Sequence, residues 1–156
     1  MPYREIEILL VEDNPDDEWL AMRALEKNNV SNKIHVVRDG EEALDFLFSR
    51  GKYENEDSKR NLRLILLDIK LPKVDGLEVL QQIKNHKTLR SIPVVLLTSS
   101  KQQEDMLRAY TDGANSFLQK PIDFGEFDTL IRDVGFYWVR VNQFPEKIAL
   151  VMNSKK

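Results

Sequence analysis

The chain has 156 residues, 42% hydrophobic and 31% charged, and its 23 lysines and arginines against 26 aspartates and glutamates leave a net charge of −3. This is the size and make-up of one globular domain, not of a disordered or membrane-embedded chain, and so even a charge balance removes the electrostatic case for direct DNA binding. With no cysteine and only His35 and His86 as histidines, disulfides and Cys-type zinc sites are excluded and an all-His metal site is not expected, so any chemistry falls to carboxylates, hydroxyls and lysines.

In chain order, five short apolar runs alternate with longer amphipathic stretches. The first, Ile6–Val11, is too short for a signal peptide or a membrane helix, which needs about 20 apolar residues, so a cytoplasmic protein without membrane contact is expected. Asn14-Pro15 then supplies a capping side chain before a proline at the first helical position, and Trp19 to Leu25 carries an amphipathic helix towards Asn28-Asn29. The second run, Ile34–Val37, is followed by Asp39-Gly40 and a helix with Ala43, Leu44, Leu47 and Phe48 on one stripe. Residues 50–61 break the pattern. They are polar and mixed in charge, as in a solvated surface loop. The third run, Leu62–Leu67, leads to Asp75-Gly76 and a helix through Leu77, Val79, Leu80 and Ile83. The fourth, Val94–Leu97, precedes Ser99 and Ser100, which with Gln102 and Gln103 resemble a capping box for a fourth helix. The fifth run, Ser116–Leu118, is the weakest, and a last helix is predicted from Phe124 to about Val141. The runs are continuous where a half-exposed strand would alternate, so they read as strands buried on both faces, and their alternation with helices predicts a doubly wound parallel α/β sheet.

The polar residues that matter stand at the strand ends. Glu12 and Asp13 follow the first run, Asp68 ends the third, Thr98 ends the fourth, and Lys120 follows the fifth. Each alone has an ordinary explanation as a cap, a helix-dipole partner or a solvated lysine. In an open parallel sheet, however, all of them lie on the one carboxyl edge where such folds bind ligands. Three carboxylates brought together repel unless a cation intervenes, and a hard divalent ion such as Mg2+ satisfies them with oxygen ligands. A carboxylate nucleophile, a hydroxyl and an ammonium around that ion form a set suited to phosphoryl transfer.

These residues and their flanks, Ile8-Leu9-Leu10-Val11-Glu12-Asp13-Asn14, Leu66-Leu67-Asp68-Ile69-Lys70 with Leu71-Pro72-Lys73-Val74-Asp75-Gly76, Val94 to Ser99, and Phe117-Leu118-Gln119-Lys120-Pro121, resemble the response regulator receiver family. The resemblance implies a flavodoxin-like sheet of strand order 2-1-3-4-5 with five helices, a receiver unit over residues 5–142 and a tail, 143–156, without an output domain. It implies that Asp68 accepts a phosphoryl group from a sensor histidine kinase, that Glu12, Asp13, Asp68 and the backbone carbonyl of Lys70 hold Mg2+, and that Thr98 and Lys120 contact the phosphoryl oxygens. Phe117 would be the aromatic partner of Thr98 in a conformational switch, and the Lys120–Pro121 bond would be cis. The 50–61 insertion and the aromatic stretch Phe136-Tyr137-Trp138-Val139 are similar to those of the small cyanobacterial regulators paired with phytochrome kinases.

Two other functions compete with a signalling protein that is not a turnover enzyme. A Mg2+-dependent phosphatase with an aspartyl-phosphate intermediate would want an acid two residues after its nucleophile, where this chain has Lys70. A receiver-like binding module that needs no phosphorylation would be expected to have lost Asp13, Asp68 or Lys120, and all three are present. On the last helix, Phe127, Leu130, Ile131, Val134, Tyr137, Trp138 and Val141 share one face at about 100° per residue. Phe136 and Val139 fall opposite. They are therefore expected to be exposed near Ile148, Leu150 and Val151, on a homodimer surface made by the fourth helix, fifth strand and fifth helix.

Overall fold

In a computed structural model of the chain, which describes residues 6–28, 33–55, 61–99 and 102–144, the apolar runs form five strands: β1 (Ile8–Val11), β2 (Ile34–Val37), β3 (Leu64–Leu67), β4 (Val94–Thr98) and β5 (Ser116–Gln119). All pairings are parallel and the order is 2-1-3-4-5. The intervening segments fold as α1 (Pro15–Glu26), α2 (Gly40–Leu47), α3 (Gly76–Lys84), α4 (Gln103–Thr111) and α5 (Phe124–Phe136). This is the doubly wound, flavodoxin-like arrangement expected from the sequence.

The runs are continuous because successive side chains enter opposite cores. Ile8, Leu10, Leu64, Leu66, Val95 and Leu97 pack with Leu25 of α1 and with Phe127 and Ile131 of α5. Leu9, Val11, Ile65, Leu67, Val94 and Leu96 pack on the other face with Leu47 of α2, Ile83 of α3 and Ala109 of α4. Fully burying each such side chain is worth about 1.5–3 kcal/mol, so β1 and β3, whose residues are all buried, anchor the sheet on both sides.

The helix starts follow the predicted caps. The Asn14 side chain accepts from the backbone N–H groups of Asp16 and Asp17, Asp39 accepts from Glu42 N–H at 2.7 Å, and Asp75 accepts from Glu78 N–H at 3.0 Å. The fourth start differs. β4 runs on through Thr98, and α4 begins only at Gln103 with Gln102 at the N-cap, so Ser99 is used in the turn out of the strand and no serine box opens the helix; Ser100 lies outside the described residues.

Two further expectations are corrected. Beyond α5 the chain continues as a π-helical turn, Tyr137–Val141, closed by the Asn142 N–H donating to the Tyr137 carbonyl at 2.6 Å. The i→i+5 bond of such a turn takes more residues per turn than an α-helix, so the 100° projection fails from this point. Val139 rotates into the core and is 4% exposed, whereas Tyr137 and Val141 turn outward. Val139 is therefore not part of an exposed surface, although Phe136 is. The second correction is at the 50–61 segment, where Gly51–Tyr53 forms a 3-10 turn and Tyr53 is buried against Phe46 and His35. Its hydroxyl donates to Glu42 and pairs with His35 Nε2, both at 2.9 Å. An amphipathic tyrosine with a satisfied hydroxyl is what permits this burial in an otherwise polar stretch. Residues 56–60 lie outside the described residues, as do Ile148, Leu150 and Val151 of the tail.

Among the described residues no helix is long and apolar enough to cross a membrane.

Candidate functional site

The carboxyl ends of β1, β3, β4 and β5 converge because parallel strands in register end together. Glu12 leaves β1 with its N–H on the Val37 carbonyl, Asp68 leaves β3 with its N–H on the Val11 carbonyl, and the Lys120 N–H donates to the Thr98 carbonyl at 2.7 Å. Glu12, Asp68 and Lys120 are thus each fixed by a backbone bond to the neighbouring strand. Two glycines let the surrounding loops close on this edge. Gly76 donates its N–H to the Ile69 carbonyl at 2.6 Å, and a Cβ there would overlap the Asp68 carbonyl oxygen. Gly40 donates to the Pro72 carbonyl, and a Cβ there would overlap the carbonyl of Val74.

Glu12, Asp13 and Asp68 each present a carboxylate oxygen within 4.8 Å of the others. Glu12 and Asp68 are buried and Asp13 is exposed, so the cluster opens to solvent on one side. Lys120 enters it from β5. Its Nζ lies 2.8 Å from Glu12, 2.8 Å from Asp17 and 3.1 Å from Asp68, and its side chain is only 9% exposed. Three donors meet three carboxylates, which exhausts the ammonium.

Burial alone would lower the Lys120 pKa, but the hydrogen bonds to Asp17 and Glu12 and the charges of Glu12 and Asp68 hold it above the ordinary lysine value. Burial pushes the Glu12 carboxyl up to about 7, against the opposing bond and charge of Lys120. A buried carboxylate beside two others is short of positive charge even with a lysine present. Oxygen donors of this kind, with one side open to water, suit a hard divalent cation.

Of the remaining sequence candidates, Thr98 is fully buried at the end of β4 and Phe117 is partly buried on β5, opposite Leu96. Lys70 is exposed two residues beyond Asp68. The expected cis bond at Lys120–Pro121 is absent. No described peptide is cis, and trans is the form that even a proline amide prefers, by about 0.5–1 kcal/mol.

Asp17 is the residue that the sequence did not single out. It sits in the first turn of α1, 103 positions from Lys120, and its backbone N–H is fixed by the Asn14 cap at 3.1 Å. The available signal was its place three residues after that cap, which turns it towards the strand end that Asn14 follows. With the exposed Trp19 and Phe124, Asp17 lines a groove of about 720 Å³ between α1 and α5.

The sequence and the fold are similar to those of known proteins. The chain is 45% identical over 139 residues to a probable methanogenesis regulatory protein, FilR2, of Methanothrix harundinacea, with 88% of this chain and 86% of that protein covered. It is 36% identical over 138 residues to the response regulator Rcp1 of Synechocystis sp., covering 88% and 92%; the Mn2+-bound structure of Rcp1 superposes with a TM-score of 0.83, covering 90% of this chain and 99% of the other. The phosphorylated cyanobacterial phytochrome response regulator RcpA superposes with a TM-score of 0.84 at 35% identity, covering 91% and 99%. With the family model for the response regulator receiver domain matching residues 8–132, and the acidic edge, the 2-1-3-4-5 sheet and these relatives in accord, the chain belongs to the response regulator receiver family.

Proposed function

We propose that the chain is a two-component signalling protein whose Asp68 accepts a phosphoryl group from the phosphohistidine of a sensor histidine kinase, of the phytochrome type, in a Mg2+-dependent reaction in the cytoplasm. The observation that carries this reading is the Asp68 carboxylate, buried at the sheet edge, within 4.8 Å of Glu12 and Asp13 and 3.1 Å from the Lys120 ammonium. An Asp68 oxygen would attack phosphorus, the bond from phosphorus to the donor imidazole nitrogen would break, and that nitrogen would keep the electron pair. Mg2+, held by Glu12, Asp13, Asp68 and the Lys70 carbonyl, would supply charge neutralisation to the oxygens of the transferring group. Lys120 would donate to one of those oxygens and Thr98 to another, and movement of the Thr98 hydroxyl would make room for Phe117 to turn inward. The Mn2+-bound structure of Rcp1 supports a divalent metal, and RcpA, a phosphorylated cyanobacterial phytochrome response regulator, supports phosphorylation and the kinase type. In this reading residues 5–142 are the receiver unit and 143–156 its tail.

Incubation with MgCl2 and acetyl phosphate is expected to give a single phosphoryl adduct by intact mass spectrometry, and EDTA is expected to abolish it. A chain that gains no adduct in excess Mg2+ would refute the assignment.

We further propose a homodimer through α4, β5 and α5. Its support is the exposure of Leu107 and Tyr110 on α4, of Phe136 at the end of α5 and of Tyr137 and Val141 in the π turn beyond it, large apolar side chains of the kind that association covers. Light scattering at tens of micromolar is expected to give twice the chain mass. A monomer both before and after phosphorylation would rule the dimer out.

A further inference from the structure

We propose that Asp17 is a positioning residue for this site: by holding the Lys120 ammonium towards α1, it leaves Glu12 and Asp68 available to a divalent cation. The inference rests on the phosphoacceptor reading above and adds to it a residue outside the three-carboxylate cluster.

Lys120 and a cation compete for the same oxygens. In the structure the ammonium takes Glu12 at 2.8 Å and Asp68 at 3.1 Å, two of the three carboxylates that could bind a metal. Its third contact, Asp17 at 2.8 Å, comes from α1 and is not one of that set. If Glu12 and Asp68 turn to a cation, Asp17 remains as a charged acceptor for a buried ammonium, which could not otherwise stay ionised cheaply. Without Asp17, Lys120 would have only the metal-binding carboxylates to satisfy it and would hold them more tightly.

Charge acts in the same direction. Glu12, Asp17 and Asp68 meet the ammonium and Asp13 stands beside Glu12 and Asp68, and removing any of these four carboxylates weakens the attraction for a divalent ion. Asp17 is also well placed to hold position. Its N–H is capped by Asn14, whose own N–H donates to Glu12 Oε2 at 3.2 Å, so the residue is tied to the strand end it serves. Asp16, on the same turn and capped by the same Asn14 oxygen, is exposed and no described bond links it to Lys120. It is the internal control.

The test is calorimetric titration of the whole chain with MgCl2. Asp17→Asn is expected to bind Mg2+ about tenfold more weakly than the unaltered chain, the size of a coupling of about 1.4 kcal/mol, while Asp16→Asn stays within about twofold. In a Lys120→Met background, the Asp17→Asn effect is expected to shrink to that of Asp16→Asn, because the competitor is gone. Binding by Asp17→Asn within twofold of the unaltered chain would overturn the proposal. So would an undiminished loss in the Lys120→Met background, which would make Asp17 a simple surface charge. If Asp17→Asn does not fold, Asp17→Ser takes its place in the same comparison. Failure of the unaltered chain to bind Mg2+ would instead overturn the phosphoacceptor reading itself, so the two failures are distinguishable.

Discussion

Asp68→Asn is expected to lose phosphoryl incorporation from acetyl phosphate entirely, at least about 100-fold below the unaltered chain, while keeping its fold. The substitution is nearly isosteric, but an amide oxygen lacks the charge and the lone-pair availability of a carboxylate nucleophile. The surroundings tolerate the change. Lys120 keeps Glu12 and Asp17 at 2.8 Å, the amide oxygen can still accept its third hydrogen bond, and one of the mutually repelling carboxylates is removed. Thermal unfolding is therefore expected to shift by no more than about 1 kcal/mol equivalent. Intact mass spectrometry after incubation with MgCl2 and acetyl phosphate, alongside a melting curve, checks both halves. Adduct formation equal to that of the unaltered chain would move the acceptor to another residue.

Gly76→Ala is expected to be a damaging small substitution beside Asp68, with a loss of about 3 kcal/mol in stability. A Cβ at this position would overlap the Asp68 carbonyl oxygen and stand 2.7 Å from Ile69 Cα and 2.9 Å from Asp68 C. All three are backbone atoms, which cannot rotate aside as a flexible side chain would. Relief would require α3 to separate from the end of β3, stretching the 2.6 Å bond from the Gly76 N–H to the Ile69 carbonyl and shifting Asp68 against Lys120. Since small misplacements of reacting groups are costly, phosphoryl incorporation is expected to fall at least about tenfold as well. Gly125→Ala provides the contrast. Gly125 lies in the first turn of α5 and its added Cβ would meet only the Asp123 side chain at 3.1 Å, so that variant should be neutral or slightly stabilised through the better helix propensity of alanine. Urea unfolding midpoints decide the matter, and a Gly76→Ala protein as stable as the unaltered chain would show that the loop can give way.

Much of this site was legible in the sequence because the features that build it are local. Strands buried on both faces must be apolar at every position, so Ile8–Val11 and Leu64–Leu67 announce themselves, and the residue that ends each run is then placed on a known edge of the sheet. Asn14, Asp39 and Asp75 each precede a helix that they cap. The features that escaped are those whose cause is not local. The phase of the last helix could be projected only as far as Phe136, because the π turn that follows changes the residue count per turn; hence Val139 is inside and Tyr137 outside. Tyr53 looked like part of a solvated loop, because its partners, Glu42, Phe46 and His35, come from α2 and β2.

What the sequence determined by itself was the fold class, the strand order implied by the family it resembles, and the gathering of Glu12, Asp13, Asp68, Thr98 and Lys120 at one end of the sheet. Periodicity fixes which faces are buried, and parallel strands of similar length must end together. The tertiary structure alone decided how the charges are shared. Lys120 divides its three hydrogen bonds among Glu12, Asp68 and Asp17, and the last of these partners is 103 positions away. No pattern along the chain encodes that bond. It depends on the angle at which α1 leaves β1 and on the reach of a lysine side chain from the end of β5, both of which are set only when the helices pack onto the sheet.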